Sequence, residues 1–376
     1  MGIFKIAISF FSRTITIIIA IITTCCIMAA YINPNLFWPI SMFGLIFPFF
    51  IILNALFLLV WIGRKKWFLV VPLIIFLFGL PQTKNLFGFH LFPASKTTLE
   101  KPLKVMSYNV RNFDLYNWDQ NTKSKEKIYQ TLKTENPDII CFQEFYSDQS
   151  KNFNNIQQLK KMGYKYYKFS VELRLRKTEE WGIAIFSKFP IQQDGFFLKS
   201  KFPTVYDFYP YRGVYADILY QSKKIRIVTT HLQSVYLQTD DYELINNVKK
   251  EKDMNSLQKA SGIVFKLKKA FQRRANQAIE LNEFLNSNPE LPVILCGDFN
   301  DTPSSFSYYV GTKGLKDAFI SSGFGIGKTY NGPIPALRID FILYKAPLSP
   351  LRTRVIKNPV SDHFPVVSEF EWKKED

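Results

Sequence analysis

Up to about residue 81 the chain is almost continuously apolar; beyond it, short apolar runs alternate with polar stretches. Three apolar segments stand out in the first part, at about 15–32, 37–61 and 67–80. A membrane-spanning helix takes ~20 mostly apolar residues, with a range of about 17–25. The first two segments meet that length. The third is short, contains Pro72 and stops at Pro81, unless it is tilted, extends past Pro81 or lies at the interface. A cleaved signal peptide is disfavoured for the first, because a second long apolar run follows at once. Two or three spans are therefore expected. Lys5 and Arg13 flank the first segment, and Arg64, Lys65 and Lys66 separate the second from the third. The positive-inside rule puts these cations in the cytoplasm. Three spans would leave the rest of the chain outside the cytoplasm; two would leave it inside. Residues 82–102, with Pro93 and Pro102, read as a linker, and 103–376 as one domain.

From Lys104 onward, β-rich runs end abruptly in polar residues. Lys104–Val110 ends in Ser107-Tyr108-Asn109, and Asp138–Glu144 ends in Phe142-Gln143-Glu144. Lys224–His231 ends on a histidine, and Pro292–Asn300 ends in Gly297-Asp298-Phe299-Asn300. Arg338–Leu343 carries Asp340 near its start, and Ser361-Asp362-His363 precedes the last run. Runs of this length, rich in Val, Ile and Phe and bounded by turn formers, are strands. Helices are expected over Ser124–Glu135 and Phe265–Leu285, the second on a 3.6-residue apolar period. Interspersed strands and helices argue for an α/β domain. The lysine-rich stretch 234–269 interrupts it and reads as a solvated loop leading into a basic helix start.

Charge changes the picture only partly. Residues 1–100 hold seven Lys or Arg against one acid, Glu100, which leaves +11 of the net +17 on the remainder. Such a surface favours anionic partners without choosing between nucleic acid, acidic lipid and phosphorylated small molecules. The four cysteines show no disulfide or zinc spacing.

The polar strand ends carry the candidate chemistry. Asn109, Glu144, Asp298, Asn300, Asp340 and Asp362 offer hard oxygen ligands suited to Mg²⁺, with Mn²⁺ as a substitute. Zinc would want more His or Cys. In an extended chain Asp298 and Asn300 would point to one side, where the acid can deprotonate a water and the amide hold it. His363 beside Asp340 would stay protonated and face a phosphate. His231 closes a strand in the same set, whereas His90 falls in the linker and has no assigned role.

These motifs, in this order, resemble the endonuclease/exonuclease/phosphatase superfamily over about Val105–Phe370. The resemblance implies a deoxyribonuclease I-like two-sheet αββα sandwich, preceded here by the two or three apolar helices. It implies that Glu144 binds Mg²⁺ with Asn109 and Asp362 beside it, and that Asp298 and Asn300 position and activate the water. His363, supported by Asp340, would contact the phosphate, with His231 on its other side and Arg212 as a further phosphate contact. The expected activity is metal-dependent phosphoester hydrolysis at a membrane, with nucleic acid as the first substrate class. A sphingomyelinase-like phospholipid phosphodiesterase and a phosphomonoesterase are the alternatives, and the complete catalytic set disfavours a silent scaffold. The expected partners are the lipid bilayer and the phosphate-ester substrate; no protein partner is inferable. The expected location is a bacterial inner membrane.

Overall fold

The computed structural model describes residues 2–91, 101–116, 123–199, 211–235, 254–332 and 337–373. Its helices are α1 (Gly2–Met28), α2 (Pro34–Phe37), α3 (Ser41–Gly63), α4 (Val70–Thr83), α5 (Ser124–Glu135), α6 (Asn155–Lys161), α7 (Met254–Asn286), α8 (Phe306–Gly311) and α9 (Ala318–Ser322). The first strands are β1 (Gly88–Phe89), β2 (Leu103–Asn109), β3 (Ile139–Ser147), β4 (Tyr166–Leu175), β5 (Glu179–Ser187), β6 (Ile191–Lys199) and β7 (Tyr211–Tyr220). The remainder are β8 (Lys223–His231), β9 (Val293–Asp298), β10 (Lys316–Asp317), β11 (Phe324–Gly325), β12 (Asp340–Tyr344), β13 (Leu348–Val355) and β14 (Val366–Trp372). They form two compact units.

The first unit comprises Met1–Leu86, Gln233–Ala278 and Thr302–Val310. Two of its helical stretches, Ser9–Met28 and Pro34–Gly63, are long and apolar enough to cross a membrane; Trp67–Thr83 is shorter. Several polar side chains inside this apolar layer donate hydrogen bonds across it, which lowers the cost of burying them. Trp61 Nε1 donates to Thr16 Oγ1 at 2.9 Å, Asn54 Nδ2 to the Pro72 carbonyl at 2.8 Å, and Gln82 Nε2 to the Ile27 carbonyl at 2.7 Å. Trp61 thus lies beside the middle of α1, Phe50 beside Thr23 nearer its end and Gln82 beside its last turn, so the three helices run up, down and up. The later segments close on the turn between α1 and α3. The Tyr31 and Tyr309 rings meet edge-on at 4.7 Å, and Asn35 Nδ2 donates to Asn276 Oδ1 at 2.9 Å. At Gly44 a Cβ would lie 3.1 Å from the Ser304 carbonyl oxygen, so this helix face has to be bare.

Three boundaries differ from expectation. Helix α4 continues through Pro81 to Thr83, giving up only the one N–H bond that the proline cannot donate. The 82–102 linker contains β1, which pairs with β11. Helix α7 begins at Met254 rather than Phe265, since 254–264 holds good helix formers and only one glycine, Gly262. Of the expected 234–269 loop, 254–269 is therefore helical and 236–253 lies outside the described residues.

The second unit holds two six-stranded sheets, ordered β13-β14-β2-β3-β5-β4 and β10-β12-β9-β8-β7-β6. Strands β2 and β3 are parallel neighbours, as are β8 and β9. Residues such as Val105, Cys141, Ile183, Ala216, Ile227, Cys296 and Ile342 form the layer between the sheets. The alternate positions of β2 and β3, including Met106, Tyr108, Ile140 and Phe142, pack with Ile128, Leu132 and Leu159 of α5 and α6. These central strands are buried on both faces, which is why their sequence reads as apolar runs without alternation. This is the two-sheet sandwich that the resemblance implied.

Candidate active site

Side chains alternate faces along a strand. At one end of the sandwich the inward positions change from apolar to polar. On β9, Ile294 and Cys296 face the other sheet and Asp298 follows at the same parity. Ile227 of β8 leads in the same way to His231, Val105 of β2 to Asn109, and Ile342 of β12 lies two residues beyond Asp340. Strand register then pairs His231 with Asp298 and Asp298 with Asp340 as direct neighbours across three strands. Residues scattered over the sequence meet because the sheet places them in one row.

Hydrogen bonds knit the row together. His363 Nδ1 lies 2.9 Å from Asp340 Oδ2, and its Nε2 lies 3.7 Å from Asp298 Oδ2. From the facing sheet, Asn109 Nδ2 donates to Asp298 Oδ2 at 3.0 Å and to Glu144 Oε1 at 3.3 Å, while its Oδ1 accepts from the Arg111 amide at 3.1 Å. His231 Nε2 stands 3.7 Å from Asp298 and 3.9 Å from Glu144; it is buried and has no hydrogen-bond partner. Asp362 is at the rim, accepting from Ser361 Oγ at 3.3 Å and lying 3.6 Å from Arg111 Nε. Arg212 pairs with Glu172 at 3.4 Å, and its charge acts on His231.

Two acids reach the site through irregular backbone. Plain alternation would turn Glu144 outward with Phe142. A bulge between Phe142 and Phe145, with Glu144 at φ 49°, re-aims it toward Asn109. A second bulge lies beside Glu172, between Val171 and Leu173. Both bulges abut Gly182, which pairs with Phe145 on one side and Val171 on the other. A Cβ at Gly182 would fall 1.9 Å from the Ser170 carbonyl oxygen. Gly182→Ala is therefore expected to cost about 1–3 kcal/mol through overpacking and to lower turnover by displacing Glu144. Thermal unfolding and steady-state rates of the variant check both effects.

Asn300 departs from the expected extended geometry. It has φ 51°, its backbone N–H donates to Asp298 Oδ1 at 2.8 Å, and its Nδ2 donates to the Leu232 carbonyl at 3.0 Å. Asparagine tolerates this left-handed conformation because its short amide bonds locally. The pair is thus joined by a turn rather than by a shared strand face. Glu172, Arg111 and Thr329 were not singled out in the sequence. Glu172 shares the parity of Ser170, which alternates with Phe169 of the outer cluster, but the bulge that holds it is not visible in the sequence. Thr329 accepts from the Ile339 and Asp340 amides at 3.0 and 3.1 Å and so fixes Asp340; no sequence signal marks it.

Burial and charge set the protonation states. Burial, with the adjacent Asp340 charge, pushes the Asp298 carboxyl up to about 7. Burial and then Asp362 raise Glu144. Burial, with Arg212 and His363, holds His231 well below the usual imidazole value. For His363 burial acts downward, but the Asp340 and Asp298 carboxylates prevail and hold it well above that value. The site therefore pairs a carboxyl poised near neutrality with one imidazolium and one neutral imidazole. Asp298, Asp340 and His363 also have ligand atoms within 4.8 Å of one another.

Residues 106–363 match the model of the Endonuclease/Exonuclease/phosphatase family. Residues 8–86 match a domain of unknown function. The human Nocturnin catalytic domain is 18% identical with TM-score 0.50, the match covering 73% of this chain and 96% of that one. A mannosyl-6-phosphatase from Bacteroides thetaiotaomicron is 19% identical with TM-score 0.50, covering 72% and 100%. An endonuclease/exonuclease/phosphatase from Bacteroides vulgatus is 18% identical with TM-score 0.51, covering 73% and 100%. At these identities the likeness shows the shared fold. A comparison with curated protein sequences gives no match. The two-sheet sandwich with acids and imidazoles at one end defines a phosphoester hydrolase. The chain belongs to the endonuclease/exonuclease/phosphatase family.

Proposed function

We propose that the protein is a Mg²⁺-dependent phosphodiesterase held at a membrane by its N-terminal helices. The observation that carries the catalytic reading is Asp298 standing within 3.7 Å of both His231 and His363, with Asp340 behind His363. The side chains fit a hard cation. Glu144 and Asp362 bring carboxylates together closely enough for Asp362 to raise Glu144, and they present oxygens rather than the thiolates and imidazoles that zinc takes. Glu144 and Asp362 would hold the ion, with Asn109 orienting Glu144. When bound, Mg²⁺ supplies charge neutralisation at the phosphoryl oxygens.

The chain's own residues do the rest. Asp298, poised near neutrality, takes the proton of the attacking water. Asn300 fixes Asp298 through its amide N–H and holds the loop against Leu232. His363, kept protonated by Asp340, donates to a phosphoryl oxygen as charge develops. The unpartnered His231 Nε2 meets a second phosphoryl oxygen. Arg212 adds positive charge beside it.

Nucleic acid is the first substrate class, supported by the +11 charge beyond residue 100. A phospholipid is the second reading. It is favoured by the proposed tether, which would keep the enzyme at a bilayer whose headgroups carry phosphodiesters. Three spans, supported by the up-down-up run of the helices, would put the domain outside the cytoplasm of a bacterial inner membrane. The detergent-solubilised full chain with Mg²⁺, offered plasmid DNA, RNA and mixed phospholipid vesicles, tests the substrate. Nucleic-acid cleavage that falls steeply with salt is expected. Turnover confined to vesicles would replace the first reading by the second, and turnover of none would overturn both.

A further inference from the structure

We propose that a cationic cavity in the second unit, beside the segment that follows α4, binds the headgroup of an anionic phospholipid. The proposal rests on the membrane-tether reading above. The cavity has a volume of about 740 Å³, within the range of ligand sites. None of its lining residues is Asp or Glu, whereas Lys328, Arg352 and Lys357 all line it. A fourth cation, Arg354, is engaged by Glu135 at 2.7 Å. Glu135 also acts on Arg352, so the cavity carries more cations than the one acid beside it offsets, and an anion would relieve their repulsion.

The rim is apolar and faces water. Leu91 is 61%, Phe324 55% and Ile326 50% exposed, and neighbouring Phe89 reaches 77%. Exposed apolar side chains grouped beside cations mark a membrane-contacting surface: the apolar tips enter the acyl boundary and the cations meet headgroup phosphates. A free phosphate would use the cations and leave the apolar rim wet. A phospholipid uses both.

The wall is built rather than loose. Gly88 and Phe89 pair with Gly325 and Phe324, and the His90 N–H donates to the Gly323 carbonyl at 3.0 Å. Phe87 packs at a tilt against Phe89, with ring centroids 4.6 Å apart, and meets Phe324 edge-on at 5.7 Å. A Cβ at Gly88 would lie 2.4 Å from the Gly323 carbonyl oxygen, so the two backbones are pressed together. Phe87 follows Thr83, the last residue of α4, by four positions. One wall of the cavity is thus the first stretch of chain after the last apolar helix, four residues from the end of the proposed tether.

Native mass spectrometry of the full chain in detergent, with equal phosphatidylglycerol and phosphatidylcholine, tests this. Wild type is expected to retain phosphatidylglycerol in about tenfold excess or more, each cation near a headgroup adding to the preference. K328Q/R352Q/K357Q is expected to retain both lipids about equally, with circular dichroism and hydrolytic rate unchanged. K328R/K357R should keep the preference, as should the remote control K160Q/K161Q. Equal retention by wild type, or an undiminished preference in the triple variant, overturns the proposal. Alkaline carbonate extraction of cell membranes reads the tether separately. A chain released into solution overturns the tether, whereas a retained chain without lipid preference overturns only the cavity assignment.

Discussion

Asp298→Asn is expected to lower kcat by about 10²–10⁴-fold, the range that a lost general base removes, with KM little changed. The substitution keeps shape and one acceptor oxygen. It also removes a charge that faces Asp340, so the fold should survive. What disappears is, among the described residues, the carboxylate that both histidines of the site approach within 3.7 Å. The pH profile gives the independent readout. In the wild type, kcat should rise with pH through about 7 as Asp298 loses its proton, and fall at higher pH as His363 loses its own. Asp340 raises His363, so Asp340→Asn lowers that value and moves the alkaline limb to lower pH. A rising limb that survives in Asp298→Asn would assign the base elsewhere.

Asp217→Ala is expected to be the most destabilising substitution far from the site. Asp217 is fully buried and accepts from Arg226 Nε at 2.7 Å and Nη2 at 3.0 Å, with Lys224 also at 3.0 Å. Arg226 is itself buried and lies over the Tyr215 ring at 4.3 Å. Removing the acid strands a buried guanidinium, which costs about 3–5 kcal/mol, or on the order of 10 °C in Tm. Replacing both partners, as Asp217→Leu with Arg226→Met, should recover most of the loss. For the Asp217 carboxyl burial acts upward, but its hydrogen bonds to Arg226 and Lys224 prevail and hold it below its ordinary value. Its folded value is depressed, so its contribution is complete above the unfolded value of about 3.9. The contribution is lost as pH falls through the folded value. The Tm gap between wild type and Asp217→Ala should therefore be flat near neutrality and shrink in acid.

Much of the site was legible because strand-end polarity survives in sequence. Gly297-Asp298-Phe299-Asn300 and Ser361-Asp362-His363 have no packing reason to follow buried strands. What sequence could not supply was register. That His231, Asp298 and Asp340 are neighbours is a property of strand pairing across about 110 residues, not of local pattern. Bulges were equally hidden. Glu144 has the wrong parity for an inward residue and reaches the site only through a left-handed backbone beside Gly182. Asn300 was read as extended because spacing alone cannot reveal a turn. The two-residue strand at Gly88 was hidden in a presumed linker, since so short a pairing leaves no periodicity.

The central claim is that one end of the sandwich gathers a divalent cation and a phosphate ester. Hydrolysis of bis(p-nitrophenyl) phosphate by the solubilised full chain, after chelation and titration with Mg²⁺, tests it most directly. Turnover should vanish on chelation and return with Mg²⁺, and Glu144→Gln should need at least about tenfold more Mg²⁺ for half-maximal rate. Undiminished turnover after chelation, or the same Mg²⁺ requirement in the variant, would contradict it.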